Sequence, residues 1–316
     1  MADTNTQVKP HIVQVDYIRA IASMAVALFH LGGKALPILK YGWLGVQMFF
    51  LLSGFIICWA IPRNYSWDMC GKFTGKRILR IEPPYLISIA LVLIVQYIWN
   101  SGYTIDWANV LTHLAYINNF TGKPYLSPVY WTLGIEFQYY IFVGIFFPFI
   151  IKRWGTFFLL ALCIAPIFIN IPGSTLLGFF PLFALGILYY LYLTSIKQLP
   201  EILTFGILIA ALGVYTMGWL PLLTGMFALA LLVIPLRRYR IVSFFSKISF
   251  SLYLTHDIVG SRLVVFLGTI LPKTIPFKAM EFFAGIVVSI LFAWVFYRLV
   301  ELPCLRLSKR IRYGRI

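Results

Sequence analysis

Charge is what this sequence has least of. Only 11% of its 316 residues are Asp, Glu, Lys or Arg, and 61% are hydrophobic. Soluble domains carry about 25% charge and about 45–50% apolar residues, so an ordinary water-soluble domain is excluded. Acidic residues are the scarcest, 10 against 26 basic ones, which leaves a net charge of +16. Cysteine is also sparse. Cys58, Cys70, Cys163 and Cys304 show no C-x-x-C and no paired spacing, and two lie in apolar runs. Neither a disulfide framework nor a metal site is expected from them. The opening MADTNTQVKPHIVQ lacks a basic n-region and a small-residue cleavage site, so no removable signal peptide is expected and the first apolar run stays in the protein.

What is there instead is a series of apolar runs, each near the roughly 20 residues a bilayer requires. They predict an all-α polytopic protein with about ten spans, at 12–33, 42–61, 84–100, 130–152, 154–171, 174–193, 201–217, 219–236, 246–270 and 279–301. No repeat stands out, and the loops are too short to divide the chain into domains. Residues 1–316 therefore form one integral membrane domain, with a polar tail at 1–11 and a basic cytoplasmic tail at 302–316. With the N-terminus inside, eighteen Lys and Arg fall in inner segments, five in outer loops, and Arg19, Arg262 and Arg298 within spans. That bias predicts both termini in the cytoplasm, and it accounts for the excess positive charge without a nucleic-acid partner. DWANVLTHLAYINNF, Asp106 to Phe120, is too short to cross and reads as an outer interfacial or re-entrant helix.

The first span contains three residues that lipid tolerates poorly: Asp16, Arg19 and His30. Intramembrane ionisable groups point to function by default. Arg19 and His30 are eleven residues apart, so on a helix they differ by about 20° in azimuth and about 16 Å along the axis. Asp16 is three residues before Arg19, close enough for a helical ion pair. One helix face thus carries a cation near the cytoplasm and an imidazole near the outer surface.

An Asp-x-x-Arg followed by a His, with GVQMFFLLSGFIICW (45–59), KFTGKRILRIEPPYL (72–86), WTLGIEFQYYIF (131–142), KISFSLYLTHDI (247–258) and FYRLVELP (296–303), resembles the membrane acyltransferase-3 family. The motifs run in order from about residue 14 to 305. Thr132 stands where the family usually has Ser, and Phe137-Gln138-Tyr139 departs from the usual order. The resemblance implies a bacterial inner-membrane O-acyltransferase that moves an acyl group, most often acetyl from acetyl-CoA, to a hydroxyl of an extracytoplasmic or lipid-linked glycan. O-antigen, capsule, exopolysaccharide, peptidoglycan and lipid-linked sugars all fit as acceptors. No appended extracytoplasmic esterase-like domain is expected.

The residues suggest how such a reaction would run. Acetyl-CoA is anionic and cytosolic, and the loop Lys72–Arg80 offers Lys76, Arg77 and Arg80 beside Arg19 as a phosphate anchor. His30 is the candidate general base or acyl carrier. Glu136, at the outer start of the fourth span, is expected to hold the imidazole or a sugar hydroxyl. Trp131 and Tyr140, with Tyr130 and Tyr139, are candidates for stacking on a sugar, and Asp16, Ser53 and His256 for support. A transporter or flippase of a glycan or acyl donor fits the same ionisable residues and stays open at this point.

Overall fold

The computed structural model describes residues 10–169 and 174–313 and is helical, with no strand among the described residues. In chain order the helices are α1 (Val13–His30), α2 (Gly45–Ala60), α3 (Cys70–Trp99), α4 (Trp107–Leu114), α5 (Asn118–Thr121), α6 (Trp131–Ile150) and α7 (Gly155–Phe168). They continue with α8 (Leu176–Leu193), α9 (Leu199–Met217), α10 (Trp219–Val233), α11 (Arg240–His256), α12 (Arg262–Ile270), α13 (Ile275–Phe296) and α14 (Leu302–Ser308). Seven helical stretches are long and apolar enough to cross a membrane, and α7 and α10 are shorter apolar helices. The protein is therefore a multi-pass membrane protein. Among the expected boundaries, 1–9 of the N-terminal tail, 170–171 of the fifth span and 314–316 of the C-terminal tail lie outside the described residues.

Three expectations are corrected. First, Lys72–Arg80 is not a loop: it forms the opening turns of α3, which runs unbroken through Pro83 and Pro84. A 30-residue helix is about 45 Å long, against about 30 Å of hydrocarbon, so α3 begins well below its apolar run. Prolines inside membrane helices persist where neighbours satisfy the freed carbonyls. Second, the described part of the 302–316 tail packs against the bundle. Leu302–Ser308 is helical with Cys304 and Ser308 buried, and Tyr313 lies under the Lys76 ammonium, 5.2 Å from its ring centroid. Third, 106–120 is two short helices. Asp106 caps α4 by accepting from the Asn109 amide, and Tyr116, at φ 56°, breaks the path before α5. That backbone is costly for a tyrosine. The ring is held between Phe137 (4.6 Å between centroids) and Tyr85 (5.1 Å), and its hydroxyl donates to Glu82 at 2.8 Å.

Packing fixes directions. Ser246 donates to Asp16, Arg19 donates to Ser249, and Ser261 donates to the His30 carbonyl. Positions advance together along both chains, so α1 and α11 run parallel. The Arg19–Asp16 pairing expected within α1 is replaced: each residue is spent on a serine of α11, and those serines share its three-residue spacing. Phe50–Phe183 and Phe55–Tyr189 ring contacts run in register in the same way between α2 and α8. There Gly54 and Gly186 let the backbones touch. A Cβ on Gly54 would lie 2.2 Å from the Phe183 carbonyl oxygen, and one on Gly186 would lie 2.1 Å from that of Leu51. Small residues at such crossings are a common solution in membranes. Gly54→Leu is expected to cost at least about 1–3 kcal/mol, read as a lower melting temperature of the detergent-purified protein; an unchanged melt would contradict this packing. Gln138, at the departure from the family order, accepts from the Leu176 amide at 2.9 Å and so caps α8.

His113 at the end of α4 is buried and satisfied on both nitrogens. The Leu126 amide donates to Nε2 at 3.0 Å, so Nδ1 carries the hydrogen and donates to the Asn109 carbonyl at 2.8 Å. Burial lowers its pKa from the ordinary 6.5, and the bond to Asn109 opposes this only in part. With the folded pKa below the unfolded one, the unfolded segment takes up the proton first. The ring's contribution is complete above about pH 6.5 and is lost as pH falls through the folded value. Hydrogen exchange across 109–126, corrected for intrinsic rates, is expected to be faster at pH 5 than at pH 7.5; equal protection would contradict it.

Candidate active site

Basic residues gather at one end of the bundle. The Lys72 ammonium donates to the Tyr313 carbonyl, and the Tyr17 hydroxyl donates to the Arg237 carbonyl. The opposite end holds His30, Asp257 and the α4–α5 segment, joined where Ser127 donates to Asp257 at 3.3 Å.

A cleft of about 980 Å³, counting its open mouth, enters between α1, α2, α3, α6 and α11. Arg19, Arg77 and Arg80 line it, with Ser53, Thr132, Glu136, Tyr140, Ser249 and Tyr253 among apolar side chains of α2. Continuous helix through Pro83–Pro84 is what carries Arg77 and Arg80 this deep. Arg77 is buried, with its guanidinium 5.8 Å from the Tyr140 ring centroid and 5.4 Å from that of Phe73. Its Nε has no partner. Among the described residues no carboxylate makes an ion-pair contact with any of the three arginines. Glu136 and Glu301 sit close enough to offset part of their charge without touching them. Taking an uncompensated charge out of water costs several kcal/mol. The cleft thus holds three arginines whose charge no direct carboxylate contact neutralises.

Glu136 lies in this cleft. It is the sixth residue of α6 and accepts from Ser53 at 3.4 Å and from the Tyr140 hydroxyl. The expected pairing of Glu136 with His30 is not brought together: the carboxylate faces the arginines. Lys76 is also outside the cleft, spent on Tyr313. The residues expected to stack on a sugar have partners inside the bundle. Tyr130 donates to Ser88 at 2.9 Å, Tyr139 to the Gly54 carbonyl at 3.0 Å, and Tyr140 to Glu136. Buried tyrosines need such partners. Trp131 packs on Phe50 and Phe179.

His30 does not line the cleft. Tyr253 lines it and donates to the Val129 carbonyl at 3.2 Å. Its ring is 6.3 Å from that of His256, which is 5.3 Å from that of His30. Thr132, which stands in for a serine, is 2.7 Å from the Tyr253 hydroxyl. Three polar residues were given no role by the sequence reading. Ser246 and Ser249 had a signal, their three-residue spacing matching Asp16 and Arg19. Glu301 had one too: it is an acid in an apolar run, is 2% exposed, and accepts from Ser251 at 2.6 Å. It sits in a π-helical turn, Tyr297–Glu301, and a second such turn, Asp257–Ser261, follows His256. Turns of this kind are frequent at functional positions. No group of His, Cys, Asp and Glu among the described residues is arranged to hold a metal ion.

The chain resembles several curated proteins over less than half its length. ORF330 of Acidianus two-tailed virus, which carries an acetyltransferase name, is 32% identical over 142 residues, 44% of this chain and 42% of that protein. The O-acetyltransferase OatA of Staphylococcus aureus is 26% identical over 158 residues, 44% of this chain and 25% of its own. The peptidoglycan O-acetyltransferase OatA of Listeria monocytogenes is 26% identical over 159 residues, 45% and 25%. The matched part thus spans well under half of each relative. No solved structure matches. A family model described as an acyltransferase domain matches residues 12–298, nearly the whole chain, and the protein belongs to the acyltransferase-3 family.

Proposed function

We propose that this protein is a membrane O-acetyltransferase of a glycan, with ten spans and both termini in the cytoplasm of a bacterial inner membrane. The carrying observation is the cleft with three arginines, Arg19, Arg77 and Arg80, none of them in contact with a carboxylate. Acetyl-CoA fits that arrangement in charge and entry side. Its phosphates suit guanidinium forks, and the basic end of the bundle raises its local concentration. The orphaned Nε of Arg77 is a donor awaiting such a ligand. The largely apolar walls of α2 suit an uncharged pantetheine arm.

The thioester supplies an acyl carbonyl open to attack by a hydroxyl. On this reading His30 acts as the base: its free nitrogen takes the proton of the acceptor hydroxyl as oxygen bonds to the acyl carbon. The acyl–sulfur bond breaks, and the proton then passes to the thiolate. A position at the end of α1 away from the basic face lets the glycan enter from outside, so that only the acyl group crosses. The names of the two bacterial relatives support acetyl as the group moved, and one names peptidoglycan as the acceptor. Reconstituted protein given acetyl-CoA and a peptidoglycan fragment is expected to release free CoA and form acetyl ester in equal amounts. CoA release without ester, or neither, contradicts the proposal.

A further inference from the structure

His256 is buried completely at the end of α11. Its Nδ1 lies 2.8 Å from the Leu252 carbonyl oxygen, one helical turn back. A carbonyl only accepts, so Nδ1 carries the hydrogen and, in the neutral ring, Nε2 carries the lone pair. That Nε2 is buried with no partner. An unmet buried acceptor is rare enough to require an explanation. Across the α1–α11 contact the adjacent ring is His30, at 5.3 Å between centroids and 52° between planes. The other groups around His30 are Phe29, Lys34, Asp257 and Ser261, the last donating to its carbonyl. Tyr253 does not supply the missing donor, because its hydroxyl is engaged with Thr132 and Val129.

We propose that His256 is a positioning residue for His30: its Nε2 accepts the hydrogen of one His30 ring nitrogen, directly or through one water, and so leaves the other nitrogen bare toward the acceptor hydroxyl. The Leu252 carbonyl sets the His256 tautomer, and His256 sets that of His30. Orientation of a working imidazole by the partner on its far nitrogen is a general device. Catalytic hydrogen bonds that are long in the unliganded protein commonly tighten when substrates dock. A histidine that merely filled space between α1 and α11 would not leave an acceptor unmet beside a second imidazole.

The inference rests on His30 being the base, and the test separates the two claims. Wild type, His30→Ala, His256→Leu and His256→Gln are assayed in nanodiscs after thermal-shift measurements confirm folding. His256→Leu is expected to lower kcat by about 10–100-fold while KM for acetyl-CoA stays within about twofold. His256→Gln keeps an acceptor oxygen and is expected to recover most of the loss. In a His30→Ala background, His256→Leu adds nothing. Wild-type kcat in folded His256→Leu, or a glutamine variant as slow as the leucine one, overturns the positioning role. Should the leucine variant not fold, His256→Phe takes its place with the same expectations. Normal transfer by His30→Ala overturns the base reading itself, and the role of His256 with it.

Discussion

His30→Ala is expected to lower kcat for acetyl transfer by about 10²–10⁴-fold, the usual worth of a positioned general base. Acetyl-CoA should bind the variant as it binds wild type, because His30 does not line the cleft. This pairing, rate lost and donor affinity kept, separates a chemical role from a structural one. A fall in donor affinity of the same size would mean that α1 had shifted and moved Arg19. Single-turnover rates, with donor affinity from isothermal titration on the same nanodisc preparation, read both quantities. Unchanged transfer would contradict the assignment.

The second large effect is at the other station. Arg77→Met keeps bulk and removes the guanidinium, and KM for acetyl-CoA is expected to rise by about 30-fold or more, corresponding to the 2–5 kcal/mol typical of losing one partner of a buried charge contact. kcat should change much less, because Arg77 lines the cleft and His30 does not. Arg77→Lys is expected to recover part of the loss, since an ammonium restores charge without the planar fork. Lys76→Met, by contrast, should leave KM near wild type although it neighbours Arg77 in sequence, because its ammonium sits over Tyr313 outside the cleft. Initial rates against donor concentration check all three. Equal effects at Lys76 and Arg77 would reduce the arginines to a diffuse basic surface.

The helical architecture was largely legible because lipid imposes a strong rule: long apolar runs with no free backbone groups. The expected runs at 174–193 and 201–217 correspond closely to α8 and α9. The reading failed where local signals and packing disagreed. The third span was expected to begin at residue 84, but α3 begins at Cys70 and runs through Pro83 and Pro84. That single boundary displaced the site. Placing Arg77 and Arg80 in a cytoplasmic loop put them far from Glu136, which then looked like a neighbour of His30. On the continuous helix they climb to the depth of Glu136, and the carboxylate joins the arginines.

Arg19 and His30 were legible as an intramembrane pair because periodicity places both on one face of α1. Their partners were not. Which serine meets Arg19, and which ring meets His30, depends on the parallel packing of α1 with α11, some 230 residues away. Likewise a sequence offers Tyr130, Tyr139 and Tyr140 as stacking candidates, but only the packed structure shows each hydroxyl engaged inside the bundle.

On the proposed reading the donor stays on the basic face while the acyl group alone reaches the acceptor side. Sealed proteoliposomes test it most directly, with orientation fixed by protease access to a tag at the basic C-terminus. Acetyl-CoA labelled in both the acetyl and the CoA portions is supplied only to the basic face, and a glycan acceptor only to the other. Acetyl label is expected on the glycan across the membrane, with all CoA label retained on the donor side. CoA label crossing with the acetyl group, or transfer only when donor and acceptor share a compartment, would contradict it.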